Sequence, residues 1–199
     1  MYIRNTKQDI SKLLDFRKSF QYVSEIKNIV KGEFEVMKAE LIAEFDKHEV
    51  TEEIEAGPSA SNTSGTLGGV GNLFTFIGFE ANQKPTEPIR QALQHIFLTS
   101  TMVKRDGSSE SHVLYPSPDD IFRVTPLPWA QGRSWARGIE SGLSGLGHYL
   151  NKESDLSRSS KGIQVDNIVR GGKFQNTQYI TAMIRSFEKK LKSLNKIVA

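Results

Sequence analysis

Residues Gly57 to Phe79 read GPSASNTSGTLGGVGNLFTFIGF, and the fold class turns on how this stretch is read. Its first fifteen residues hold Gly57, Gly65, Gly68, Gly69 and Gly71 among Ser, Thr and Asn, which neither bury a core nor sustain a helix. The apolar run that follows, Leu73 to Phe79, carries Phe74, Phe76, Ile77 and Phe79 and reads as a buried strand. No acidic, basic or metal-binding side chain falls between Gly57 and Phe79. A loop without reactive groups that leads into the core suggests a part that docks or moves, not a catalytic centre.

Glycine-rich loops also cradle phosphates, and this one lacks the necessary companions. A P-loop places Lys and Ser/Thr directly after its last glycine. Here the nearest lysines are Lys47 and Lys84. A dinucleotide fingerprint leaves a strand and opens a helix, whereas Gly69 and Gly71 precede a strand-like run. The stretch 57–72 therefore reads as a flexible connection or an extended arm, expected to become ordered against another subunit.

Working outward, the chain of 199 residues fits one domain with extensions. An N-terminal helical extension over 1–30 and a single α+β domain over 31–199, with loops at 57–72 and 151–162, are expected. Apolar residues make up 37%, below the usual globular share, which fits a modest core with polar arms or a partner surface. The absence of cysteine excludes disulfides, thiol catalysis and cysteine-bound zinc. No apolar run reaches the roughly 20 residues of a membrane span, and MYIRNTKQDI does not resemble a signal peptide. A soluble protein made in a cytoplasm is expected.

Charge is segregated along the chain. Residues 1–57 hold nine Lys/Arg against twelve Asp/Glu, and residues 127–199 hold twelve against five. The basic end can attract nucleic acid, or the acidic side of one copy can face the basic side of the next.

Phe34, Met37, Leu41 and Phe45 recur at steps of three and four and predict a helix over 34–48. An earlier stripe from Ile10 to Ile29 predicts another, with Gly32 as the break between them. Thr86 and Pro88 open a helix over 86–98. Met102 to Tyr115 reads as a hairpin with Arg105-Asp106-Gly107 at its tip, and Ile121 to Thr125 as a short strand. Gly138, Gly142, Gly145 and Gly147 argue against a regular helix there. Ile180, Met183, Ile184, Phe187, Leu191 and Leu194 form a strong final stripe, predicting a helix over 177–197 capped by Thr177. The expected fold is α+β: a small, mostly antiparallel sheet packed on two or three helices, with long small-residue loops.

Chemistry is sparse. His48, His95, His112 and His148 have no metal-ligand spacing. Gly132-Arg133-Ser134-Trp135-Ala136 and Gly142-Leu143-Ser144-Gly145 both depart from the serine-hydrolase elbow. The adjacent pairs Glu52-Glu53 and Asp119-Asp120 diverge too much to share an acid–base site. No enzyme activity and no cofactor is implied. Trp129 and Trp135 bracket Arg133, with Arg137 close by; aromatics beside arginine suit protein anchors or base stacking. If this segment is extended, the two tryptophans share one side.

The order of these elements resembles the neck and tail-completion proteins of tailed double-stranded DNA bacteriophages, of the marine contractile-tailed type. A helix ends in His48-Glu49-Val50-Thr51. Ser64-Gly65-Thr66-Leu67 stands where that family has a valine-threonine-glycine-leucine type segment. Ile139-Glu140-Ser141-Gly142 resembles the element before the family's flexible loop, and Gly172-Lys173-Phe174 the entry to its last helix. The resemblance implies a non-enzymatic virion protein that forms a ring, of six copies, joining head connector and tail. Its partners would be itself and neighbouring neck or tail proteins, with DNA passing through the ring. Candidate subunit-interface residues are Ser64, Gly65, Thr66, Leu67, Trp129, Arg133 and Trp135. The alternative is a nucleic-acid-binding module that uses the basic C-terminal third.

Overall fold

A computed structural model of the chain describes residues 19–68, 71–104, 108–142 and 175–194. The fold is α+β, with seven α-helices and two antiparallel two-stranded sheets among the described residues. The chain forms two compact units. The first comprises Met1–Glu40, Ile96–Tyr115 and Ser186–Ala199, and the second comprises Leu41–His95 and Pro116–Arg185.

Helix α1, Phe20–Asp46, is 27 residues long. Ser19 caps it, its hydroxyl accepting from the Tyr22 amide at 3.2 Å. Ile26, Val30, Phe34, Leu41 and Phe45 are its buried stripe. The expected break at Gly32 does not occur, because strong helix formers on both sides outweigh the cost of one glycine. Residues 1–18 of the expected N-terminal extension lie outside the described residues.

A second helix, not expected from the sequence, follows almost at once. In α2, Glu49–Glu55, His48 is the N-cap and its Nδ1 accepts from the Val50 amide. Nε2 of the same ring lies 3.1 Å from the Gln178 carbonyl and donates to it. One tautomer thus serves both bonds.

The run Leu73 to Phe79 is not a strand. Leu73–Ile77 form α3, a short helix with Leu73, Phe74, Phe76 and Ile77 buried. The decisive residues flank it. Asn72 Oδ1 accepts from the Thr75 amide at 2.9 Å, and Gly78, at φ 85°, closes the helix in the left-handed conformation. Helix α4 spans Glu87–Gln94, with Pro88 in its first turn as expected. Thr86 holds the N-cap position, but its hydroxyl donates to Glu55 Oε1 at 2.7 Å rather than to the helix. The helix ends before Phe97, which begins a strand.

The first sheet lies in the first unit and pairs β1, Phe97–Val103, with β2, Ser109–Leu114. The hairpin is as expected but starts five residues earlier than Met102, and the tip 105–107 lies outside the described residues. A register shift falls between Leu98 and Ser100. Phe97, Met102 and Leu114 are exposed.

The remaining elements belong to the second unit. The expected strand at Ile121 to Thr125 is overruled by a capping box. The Ser117 hydroxyl accepts from the Asp120 amide, the Asp120 carboxylate accepts from the Ser117 amide, and Pro118–Arg123 form helix α5. Strands β3, Pro126–Leu127, and β4, Ala130–Ser134, make the second sheet. Helix α6, Trp135–Ser141, is regular despite Gly138, because Ser134 caps it and its glycines at 142 and beyond fall after its end. Trp135 is therefore the first residue of a helix. It does not share an extended strand with Trp129.

Helix α7 spans Ile180–Leu194, narrower than 177–197, with residues 195–199 outside the described set. Its stripe is buried at Ile180, Met183, Ile184, Phe187 and Leu194. Thr177 does not cap it; the Glu140 carboxylate occupies its first turn, as described below. The core of the second unit is threaded by a row of rings. Phe74 meets Phe79 at 5.5 Å, Phe79 meets Trp135 at 5.8 Å, Trp135 meets Tyr179 at 6.3 Å, and Tyr179 meets Phe45 at 6.1 Å.

Candidate assembly interface

The small-residue loop is tied down within its own chain by a residue the sequence pattern passes over. Glu53, on α2, is 1% exposed. Its carboxylate accepts from the Ser64 amide at 2.9 Å, from the Leu73 amide at 2.7 Å and from the Asn62 side-chain amide at 3.0 and 3.1 Å. Asn62 Oδ1 in turn accepts from the Leu67 amide, and the Asn72 side-chain amide donates to the carbonyls of Pro58 and Ala60. Gly57–Ser59 form one 3₁₀ turn. The backbone donors of Ser64, Leu67 and Leu73 are thus met by carboxylate and amide side chains of the same chain. Thr66 and Leu67 are buried, Ser64 is half-buried and Gly65 is exposed.

Two of the four short stretches that carried the resemblance, Ser64–Leu67 and Ile139–Gly142, are joined to the segment that enters α7. The Gln175 amide donates to the Thr66 carbonyl at 2.9 Å, and the Thr177 amide donates to the Ile139 carbonyl at 3.2 Å. Glu140 Oε1 accepts from the Thr181 amide at 2.7 Å, and the Thr181 hydroxyl donates to Glu140 Oε2. A carboxylate in the first turn of α7 meets orphan amides and the positive end of the helix dipole. The Gly172-Lys173-Phe174 stretch and the loop 151–162 lie outside the described residues.

The tryptophans part company. Trp135 is 1% exposed, its ring edge-on to Phe79. Trp129 is half-buried, and its indole N–H donates to the Ile77 carbonyl at 2.8 Å, at the end of α3. Arg133 is exposed on β4, facing an open groove of about 670 Å³ that is also lined by Asp119, Phe122, Arg123 and Arg137. Two of its arginines are engaged by carboxylates of α5. Arg137 pairs with Asp119 at 2.9 Å and lies over the Phe122 ring, and Arg123 pairs with Asp120 at 3.1 Å. The hydroxyl and amide of Ser117, then Arg123, hold the Asp120 carboxyl below its usual range. Its capping role thus keeps it charged.

Elsewhere, the exposed apolar surface is concentrated. Among the described residues the large exposed hydrophobic side chains are Phe20, Ile29, Val36, Phe97, Met102, Leu114 and Val124, and all but Val124 belong to the first unit. Phe20 is 87% exposed and Leu114 57%. The β1–β2 ribbon is wet on both faces, with edges that pair with nothing else among the described residues. A two-stranded ribbon in that state is marginal by itself. Residues of α1 and the hairpin were not among the expected interface positions. Ile29, read from the sequence as the end of an apolar stripe, is exposed, and with Val36, seven residues on, it lies off the stripe that the structure buries.

No group of three His, Cys, Asp or Glu among the described residues is placed to hold a metal ion. No described helix is long and apolar enough to cross a membrane. No protein-family model, curated protein or solved structure matches the chain.

Proposed function

We propose that this chain is a non-enzymatic assembly subunit that closes into a ring, of six copies, at the neck or tail of a tailed double-stranded DNA phage. It is made in the host cytoplasm and ends in the virion, joined to neighbouring neck or tail proteins, with DNA able to pass through the ring. The observation that carries the reading is the concentration of exposed apolar side chains on α1 and the β1–β2 ribbon. Large apolar side chains exposed in one unit support an interaction site there, and an open ribbon edge is a template for pairing with another chain. The resemblance of Ser64-Gly65-Thr66-Leu67 and Ile139-Glu140-Ser141-Gly142 to the tail-completion pattern supports the phage setting.

Size-exclusion chromatography with light scattering tests it. A discrete oligomer unaffected by nuclease is the expected result; a monomer at every concentration would overturn it. One observation favours a second reading, nucleic-acid binding: the groove lined by Arg123, Arg133 and Arg137. Binding of duplex DNA that weakens steeply with salt, without a protein oligomer, would select it.

A further inference from the structure

Helix α1 carries a second stripe that the described residues leave uncovered. Ile29, Gly32, Val36, Ala39 and Ala43 recur at steps of three, four, three and four, the spacing of a helix–helix seam. All five are exposed, Ile29 and Val36 by about half. Gly32 is the informative member. A glycine inside a helix weakens it, yet a Cβ at this position would meet nothing within 4 Å. Nothing among the described residues requires the glycine. A bare backbone in the middle of an exposed seam is what allows another helix to approach closely.

The charges beside the seam select the occupant. Glu25, Glu33, Glu35 and Glu40 are exposed on or next to it. Pairing the same seam from two copies would set carboxylates against carboxylates, which disfavours a symmetric α1–α1 contact. Helix α7 presents the opposite sign. Arg185, Lys189 and Lys192, at steps of four and three, form an exposed basic ridge. Their long stems can cover Ile29 and Val36 while the charged ends reach the glutamates. The same helix already offers this pairing once within the chain, where Lys190 Nζ lies 2.6 Å from Glu40 Oε2.

We infer that the α1 seam of one copy receives the basic ridge of α7 from a second copy. Two different surfaces meet in such a contact, so it repeats head to tail and closes into a ring when the rotation allows. The inference rests on the assembly reading and names the contact that would build it.

Charge exchange in the full chain tests it. Glu33→Lys with Glu35→Lys should weaken the oligomer at least tenfold by light scattering, as should Lys189→Glu with Lys192→Glu. All four substitutions in one chain should restore it. Gly32→Leu should block assembly while circular dichroism shows the helix content kept and melting unchanged or raised. An oligomer indifferent to both charge pairs and to Gly32→Leu overturns the contact and leaves the assembly reading standing. Charge pairs that each dissociate it without rescue in combination also overturn the contact. A wild-type chain that never associates overturns both. If the lysine pair changes only DNA retention, the ridge is a nucleic-acid surface and the contact is wrong.

Discussion

The amide of Leu73 donates a 2.7 Å hydrogen bond to Glu53 Oε1, which joins the first residue of α3 to a buried carboxylate twenty positions earlier. Through that bond and those from Ser64 and Asn62, one side chain holds the middle of the small-residue loop and the residue that follows it. Glu53→Ala leaves these donors unmet in a site closed to water. It is expected to destabilise the fold by about 3 kcal/mol or more, since hydrogen bonds to a charged group contribute roughly 1.5–3 kcal/mol. Limited proteolysis of the isolated chain should then cut within 57–72, where the wild type resists. Equal cleavage of both would show that the carboxylate is not what orders the loop.

Trp135 belongs to the core of its own subunit. Trp135→Ala is expected to cost about 3–5 kcal/mol and to lower the melting temperature of the monomeric chain. Trp129→Phe keeps the ring and removes the bond to the Ile77 carbonyl, for about 1 kcal/mol. Thermal melts of the two variants should therefore separate clearly, and an unchanged melt for Trp135→Ala would refute the core assignment.

Alkaline pH should expose the state of Tyr179. Its phenol is fully buried, its hydroxyl lies 2.8 Å from Thr51 Oγ1, and burial pushes its ionisation well above the ordinary range. The unfolded chain gives up this proton near pH 10 while the folded chain keeps it. The contribution to stability is therefore complete below about pH 10 and is lost as pH rises beyond. Tyr179→Phe should make that alkaline decline shallower while costing about 1 kcal/mol at neutral pH. Melting temperatures from pH 8 upward read the slope; parallel curves for the two proteins would contradict the prediction.

Arg90 ties three elements together. Its guanidinium bonds to Asp46 beyond the end of the α1 stripe, to Glu55 on α2 and to Glu87 on α4, and it lies over the Phe45 ring at 5.7 Å. The bond to Glu55, then that to Asp46, holds it more firmly protonated than usual against the opposing effect of burial. Lysine keeps the charge without the planar fork. Arg90→Lys should cost about 1–2 kcal/mol, with the difference from wild type shrinking in about 1 M salt, where screening acts within roughly 3 Å. A penalty independent of salt would assign the loss to packing on Phe45 instead.

The long amphipathic elements were legible because their pattern is local and repeated. Phe34, Leu41 and Phe45, and likewise Ile180, Met183, Ile184 and Phe187, mark buried stripes without any knowledge of their partners. Leu73 to Phe79 misled because a short apolar run has no period with which to tell strand from helix. The flanking Asn72 and Gly78 held the answer, as Ser117 and Asp120 did for α5. Glu53 was out of reach for another reason: its partners lie up to twenty residues away, and nothing local distinguishes it from Glu52, which is exposed. The exposed side of α1 was hidden by its neighbour, since Gly32 reads equally as a helix break and as a place for close approach.

Glu140 and Thr181, with Ile139 and Thr177 and with Thr66 and Gln175, bring the chain back to the place it left at Gly142. A Cβ on Gly142 would already stand 3.4 Å from the Asn176 side chain. The two ends of the intervening stretch are thus clamped together at a fixed base, whatever lies between them. Closing any loop on such a base costs entropy that grows only with the logarithm of loop length, about 0.6 kcal/mol per doubling. The position behaves as a clasp: loosening Glu140 from Thr181 would free the returning chain and the first turn of α7 together.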